Sequence, residues 1–322
     1  MRKRLPIVLV SLLLVAAILY FAVGYVVYTR LGSVQHSCDP HMANTPDHFT
    51  NVSKWPEFDI EKYYMPSYEV VQFPSRFRSM LLTGWYVAGD PNQPAVILVD
   101  GLGGCKNAQA ILVPAGMLHN NGFSVLLLDL HDTGDSATDD GYSTIGTDEY
   151  MDVEGAWDWL VQQKGFAAEQ VGVVGNSLSG AATLYAMVDE PRIAALFLNS
   201  PIANLPVIIR EELHRVGYPT WLAPGGIIMA RLLTGENIVE KSPLAAIQQV
   251  GKRPIFVVHS FDDKRVPVHH SQELQAAAEA AGVNAEFWFI SGADHMRAPA
   301  VYPQEFEEKI VGFFQRTLAG KP

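Results

Sequence analysis

The segment Gly175-Asn176-Ser177-Leu178-Ser179-Gly180 joins a run of small apolar residues, Val171 to Val174, to a helical one, Ala181 to Val188. A serine at a sharp strand-to-helix turn holds its Oγ out of the sheet, and N–H groups at the helix start can receive a developing oxyanion. The spacing is that of G-x-S-x-G, with Ser179 where the last glycine normally stands and Gly180 directly after it. Taken alone, the hexapeptide reads equally well as a glycine-rich turn with an incidental serine. A serine hydroxyl is a poor nucleophile at neutral pH and needs a base, usually a histidine oriented by a carboxylate. Of the ten histidines, His36, His41 and His48 fall in a polar lead-in stretch, His214 in an irregular region, and His269 and His270 at a helix start, where they read as surface residues. His295, in Ser291-Gly292-Ala293-Asp294-His295 after the last strand, is the expected base. The loop from His259 to Pro267 offers two adjacent carboxylates, Asp262 and Asp263, whose side chains must diverge. Asp263, three residues before Val266, is the expected partner of His295, with Asp262 as the alternative.

These residues need a frame that brings three distant loops together. Eight short strand-like runs can be placed near Tyr68–Phe73, Met80–Val87, Ala95–Val99, Ser124–Leu128, Val171–Val174, Ala195–Leu198, Ile255–Val258 and Ala285–Ile290. The first two precede any helix of this body and read as an antiparallel pair. From the third onward strands alternate with helical segments, of which Asn107–Asn120, Glu149–Gln163, Leu178–Val188, Ser271–Ala281 and Gln304–Leu318 are the clearest. Several strands are apolar throughout, as expected of parallel strands covered on both faces. The pattern predicts an α/β fold with an eight-stranded, mostly parallel sheet, helices on both faces and right-handed crossovers. About fifty residues, 201–253, interrupt the alternation with apolar helix-like pieces at Leu205–Val216 and Ile227–Leu233. An excursion of this length reads as a lid or an elaborated crossover over the carboxyl ends of the strands.

The remaining signals concern location and partners. From Ile7 to Thr29 no charged residue appears, about the length a helix needs to cross a bilayer. Arg2, Lys3 and Arg4 precede this run and Arg30 closes it, which orients the N-terminus to the cytoplasm and the body outside. Tyr20, Tyr25 and Tyr28 fall in its outer half, where aromatic residues meet the interface. A cleaved signal peptide is the alternative, but the run is long for one and Leu31-Gly32-Ser33 is a poor cleavage site. The expected organisation is a cytoplasmic N-terminus and transmembrane signal anchor over 1–30, a tether over 31–66 and a catalytic domain over 67–322. The expected location is the cell membrane, single-pass. The formal net charge of −11 argues against nucleic acid, which requires clustered basic residues. Two cysteines, Cys38 and Cys105, make no disulfide framework, and no Cys/His spacing points to a metal. Whether they pair is open, although the position of Cys105 in a loop of the expected site argues against it.

The order Ser177, Asp263, His295, together with the strand after which each falls, resembles the α/β-hydrolase superfamily over Tyr68 to Leu318. Val99-Asp100-Gly101-Leu102-Gly103-Gly104 is similar to that family's oxyanion loop, with Asp100 where histidine is usual. Asp129-Leu130-His131-Asp132-Thr133-Gly134-Asp135-Ser136 resembles its D-x-R-G-x-G-x-S segment, with His131 in the arginine position. The resemblance implies backbone N–H groups of Leu102 and Leu178 as the oxyanion hole and acyl transfer to Ser177, with no cofactor and no metal. It implies a serine hydrolase, membrane-anchored and esterase- or aminopeptidase-like, acting on carboxylic esters or thioesters of a small-molecule or lipid-like acyl substrate. A serine peptidase or an acyltransferase on the same fold remains an alternative, as does a non-catalytic binding protein on this scaffold. Membrane-anchored aminopeptidase-like relatives usually carry a separate propeller domain, for which the tether leaves no room.

Overall fold

The computed structural model describes residues 5–34, 38, 43–51 and 58–318. Arg2, Lys3 and Arg4, the histidines His36 and His41, and parts of the expected tether lie outside these residues. The chain opens with α1 (Leu5–Gly32), the only helix among the described residues long and apolar enough to cross a membrane. The body follows in the order β1 (Glu69–Pro74), β2 (Leu81–Val87), β3 (Ala95–Val99), α2 (Gln109–Asn120), β4 (Ser124–Leu128), α3 (Tyr150–Gln162), β5 (Val171–Asn176), α4 (Ser179–Asp189) and β6 (Ala195–Asn199). It continues with α5 (Leu205–Arg215), α6 (Ala223–Thr234), α7 (Pro243–Gln249), β7 (Ile255–Ser260), α8 (His269–Ala281), β8 (Ala285–Ile290), α9 (Ala298–Val301) and α10 (Pro303–Leu318).

The eight strands form one sheet in the order β1-β2-β4-β3-β5-β6-β7-β8. β1 and β2 pair antiparallel, β2 meets β4 antiparallel, and every other neighbour is parallel. The register explains why the central strands are apolar throughout. Along β3, Ala95, Ile97 and Val99 enter a core shared with α3, α4, α7 and α8, while Val96 and Leu98 enter a second core with α2 and α10. A period-two strand with both faces covered has no polar side. Strand order reverses between β3 and β5, so α2 and α4, which follow them, leave to opposite faces and open a crevice at the carboxyl ends, the place where open α/β sheets build sites.

The lead-in segment is less free than its polar composition implies. Phe49, Tyr63 and Met65 are buried in the second core, and Asn44 is buried against the loop before α2, donating to the Asn107 carbonyl at 3.2 Å. Cys38 and Cys105 are joined by a disulfide with a Cα–Cα distance of 5.5 Å, a pairing that the sequence left open and disfavoured. The bridge fastens this segment to the loop that leads into α2, whose N-terminal half, at Gly101, lies against Ser177.

The insert between β6 and β7 holds α5, α6 and α7, of which α7 carried no clear sequence signal. Its helices are capped by local chemistry: Asn204 accepts from the Val207 N–H before α5, and Ser242 from the Ala245 N–H before α7. α6 packs on α1 rather than on the sheet. Gly24 and Gly225 bring the two backbones so close that a Cβ on Gly24 would lie 2.9 Å from the Gly225 carbonyl carbon. Val27 joins Leu213, Leu222 and Ala223 in one small core, and Tyr28 joins Ala230 and Ile238 in another.

Candidate active site

Ser177 lies between the end of β5 and the start of α4 with φ of 52°, a left-handed conformation that a non-glycine residue adopts at a cost of about 1–3 kcal/mol. The turn is held by the Ser177 N–H donating to the Asn199 carbonyl at 2.9 Å and by the Gly180 N–H donating back to the Ser177 carbonyl at 3.1 Å. Side-chain room is scarce here. A Cβ on Gly180 would sit 2.8 Å from Pro201 Cβ, and one on Gly101 would sit 2.9 Å from Ser177 Cβ. Ser179, at the irregular position of the motif, is fully buried, and its hydroxyl donates to the Asp100 carbonyl. It fastens the helix behind the serine to the loop carrying Leu102.

The structure brings Ser177, His295 and Asp263 together. His295 Nε2 is 2.9 Å from Ser177 Oγ, and His295 Nδ1 is 2.7 Å from Asp263 Oδ2. An ionised carboxylate only accepts, so Nδ1 carries the proton and Nε2 is left to accept from the serine hydroxyl. Asp262 is turned away, with Oδ2 accepting from the Gly292 N–H at 2.6 Å. Asp263 is nearly buried, and its other oxygen accepts from the Arg265 and Val266 N–H groups, each at 2.9 Å. Burial pushes the Asp263 carboxyl up, but hydrogen bonds from His259 and His295, the charge of His295 and the Val266 N–H outweigh it and hold the group well below the usual carboxylate range.

His259 is a neighbour of this carboxylate that sequence reasoning passed over. It is buried, its Nε2–H reaches the Val266 carbonyl at 2.9 Å and Asp263 Oδ2 at 3.3 Å, and its Nδ1 accepts from Ser271 Oγ at 2.6 Å. His270, expected at the surface, is also fully buried. Its Nδ1 accepts from the Ala203 N–H at 3.1 Å and its Nε2 donates to Glu211 at 2.9 Å. Glu211 binds His269 as well, at 2.7 Å, so this trio ties α8 to the insert. A helix start facing solvent and one facing an insert look alike in sequence, because both are set by tertiary packing.

Leu102 and Leu178 line the same cavity as Ser177. Its walls are otherwise mainly aliphatic, from Ile145, Ile202, Ile208, Ile209, Ile227, Ile238 and Val266. Val27, Tyr28, Leu31 and Gly32 of α1 complete it, a contribution no motif announced. Gly24, the one glycine of the apolar run, was the available hint of close packing. Tyr20 and Tyr28 also pack on the body of the protein. Tyr20 Oη donates to the Trp221 carbonyl at 3.2 Å and accepts from the Gly225 N–H at 2.9 Å, and Tyr28 stacks on Tyr142 with ring centres 5.4 Å apart. Two charged side chains reach the cavity, Glu212 and Arg265. Glu212 is gripped by Arg215 at 2.6 and 2.7 Å; burial raises its carboxyl, but this grip and the charges of Arg265, Arg215 and His295 bring it below the ordinary value.

The two departures in the neighbouring loops have structural replacements. Asp100, in the histidine position, is buried and accepts from Asn176 Nδ2 at 3.3 Å. His131, in the arginine position, is buried against Phe77 and forms a 2.6 Å ion pair with Asp152. Burial alone lowers the His131 pKa, but the Asp152 charge and hydrogen bond, with Glu149 and Asp132, raise it to about 9. Lys106 is buried between Asp129 and Asp135, close to the disulfide, and no spacing rule pointed to it.

Comparison with known proteins agrees with this frame. The acylamino-acid-releasing enzyme of Rattus norvegicus is 24% identical over 241 residues, covering 71% of this chain and 32% of that enzyme. A thiohydrolase of Aspergillus aculeatus is 27% identical over 179 residues, 54% of either protein. The chain thus spans about a third to a half of the length of these relatives. Among solved structures, an esterase of Pyrococcus furiosus superposes with a TM-score of 0.66 at 22% identity, over 85% of this chain and 98% of the esterase, which shows a shared α/β-hydrolase fold. The model of the prolyl oligopeptidase family matches residues 115–321, most of the sheet and the loops bearing Ser177, Asp263 and His295. The chain belongs to the prolyl oligopeptidase family.

Proposed function

We propose that this protein is a serine hydrolase that cleaves carboxylic esters or thioesters through an acyl-enzyme on Ser177. The observation that carries the reading is the relay from Asp263 through His295 to Ser177 Oγ, opening on an aliphatic cavity. His295 Nε2 takes the hydroxyl proton as Oγ adds to the carbonyl carbon, and Asp263 steadies the imidazolium. Backbone N–H groups of Leu102 and Leu178 stabilise the oxyanion. The same proton then passes to the departing alcohol or thiol, and water, deprotonated by His295, releases the acid. No cofactor takes part in this scheme.

The aliphatic walls favour an apolar acyl group, small-molecule or lipid-like. Peptide cleavage is the second reading, favoured by the family and by the acylamino-acid-releasing relatives. Glu212, the charged carboxylate of the cavity, is already engaged by Arg215, which argues against an aminopeptidase that grips a free substrate amine but not against release of acylated amino acids.

We further read 1–30 as a cytoplasmic basic end and membrane anchor, 31–66 as a lead-in and 67–322 as the hydrolase domain with its insert over 201–253. Four α1 residues in the cavity wall support retention of the helix over cleavage. The disulfide fits an oxidising compartment outside the cytoplasm. The test is kcat/KM across esters and thioesters from acetyl to dodecanoyl, beside an aminoacyl-naphthylamide. A rise with chain length and a weak amide rate are expected; a dominant amide rate would overturn the ester reading.

A further inference from the structure

α1 is free of the body only over its first part. Every residue from Ile7 to Leu19 is exposed, and from Tyr20 onward the helix alternates between exposed and buried as it packs on the insert. Thirteen residues at 1.5 Å each give about 20 Å of free helix, whereas a hydrocarbon core is about 30 Å thick and takes roughly twenty residues. If α1 spans a bilayer, residues 20–26 must therefore also lie at hydrocarbon depth. Two of those residues touch the insert: Tyr20 stacks on Trp221 with ring centres 5.7 Å apart, and Gly24 meets Gly225.

The surface of the insert that packs on α1 is apolar as well. Trp221 is 63% exposed, Leu232 69% and Ile228 44%, and Leu233 is exposed beside them. Ile228 and Leu232 are one turn apart on the outer face of α6. On α1 the exposed Val23, Tyr25 and Val26 continue the same apolar surface. Arg231 is the one charged residue of α6, with an apolar stem and a charged tip. Both helices also wall the reactive cavity, α1 through Val27, Tyr28 and Leu31 and α6 through Gly226 and Ile227.

We propose that α6 and the turn bearing Trp221 are immersed in the outer leaflet of the membrane that α1 spans, so that Ser177 receives its acyl substrate from the bilayer. This deepens the hydrolase reading and rests on it: the substrate class is an ester or thioester of a membrane-resident amphiphile, whose chain occupies the cavity that α1 and α6 wall. A water-dissolved short ester reaches the serine without needing the leaflet.

The test uses the full chain in phosphatidylcholine nanodiscs. Brominated acyl chains are expected to quench Trp221 emission, seen as a quenching component present in wild type and missing in Trp221→Phe. Quenching unchanged by Trp221→Phe would overturn the immersion, whether the patch faces water or a second copy of the chain. In parallel, Leu232→Asp and Ile228→Asp are expected to reduce hydrolysis of a long-chain ester dispersed in the bilayer at least tenfold while leaving hydrolysis of a soluble acetyl ester unchanged. Equal rates for both esters in these variants would overturn loading from the leaflet. Absence of hydrolysis on every substrate, with quenching intact, would instead overturn the hydrolase reading.

Discussion

The hydroxyl of Ser179 donates to the carbonyl of Asp100, joining the helix behind the candidate nucleophile to the loop that carries Leu102. The position where the motif departs from glycine is thus a strut. Ser179→Gly is expected to lower kcat by about three- to tenfold with little change in KM, the loss of one buried hydrogen bond of roughly 1 kcal/mol acting on oxyanion geometry. Steady-state kinetics on a short ester would show it. An unchanged kcat would remove the strut from the account.

Asp262 and Asp263 are adjacent but point to Gly292 and His295 respectively. Asp263→Asn is expected to lower kcat by about 10³–10⁴-fold through the wrong histidine tautomer, and Asp262→Asn by no more than about threefold. The pair of variants, assayed side by side with circular dichroism as a check of folding, decides which carboxylate serves His295.

The Cys38–Cys105 bridge closes a loop of 67 residues. The double variant Cys38→Ser/Cys105→Ser is expected to lose about 2–4 kcal/mol of stability, by restoring freedom to the unfolded chain. Denaturation of wild type with and without reductant should reproduce the same difference. Insensitivity to reductant would mean that the bridge contributes nothing to stability.

Much of this fold is legible in the amino-acid sequence. All eight strand runs and the five clearest helices fall where periodicity put them, because strands buried on both faces and amphipathic helices carry strong local signals. The segment Gly175–Gly180 and the order of Ser177, Asp263 and His295 were readable for a similar reason: each sits on a short loop fixed by the strand before it. What sequence hid depends on contacts between distant segments. The side of α1 facing α6, the burial of Phe49 and Met65, the pairing of Cys38 with Cys105 and the environment of His259 and His270 all arise that way. His131 is an intermediate case, since the motif marked its position but only the fold reveals Asp152 as its partner.

That ion pair sets a pH dependence of stability. The folded His131 pKa of about 9 lies above the ordinary 6.5, so its contribution is fully present below about pH 6.5 and lost as pH rises through 9. The shift corresponds to about 3 kcal/mol. Unfolding free energies of wild type and His131→Gln should differ most near pH 6 and converge by about pH 10, once the imidazole is neutral. A gap that stays constant with pH would assign His131 a packing role only.

The proposed activation of Ser177 by His295 is read directly by an active-site-directed fluorophosphonate, because only an activated serine reacts. With the full-length protein in detergent, peptide mass mapping is expected to place one phosphonyl group on Ser177. His295→Ala should label far more slowly and Ser177→Ala not at all, with hydrolysis falling in parallel. Labelling and ester hydrolysis at the wild-type rate in Ser177→Ala would contradict the account.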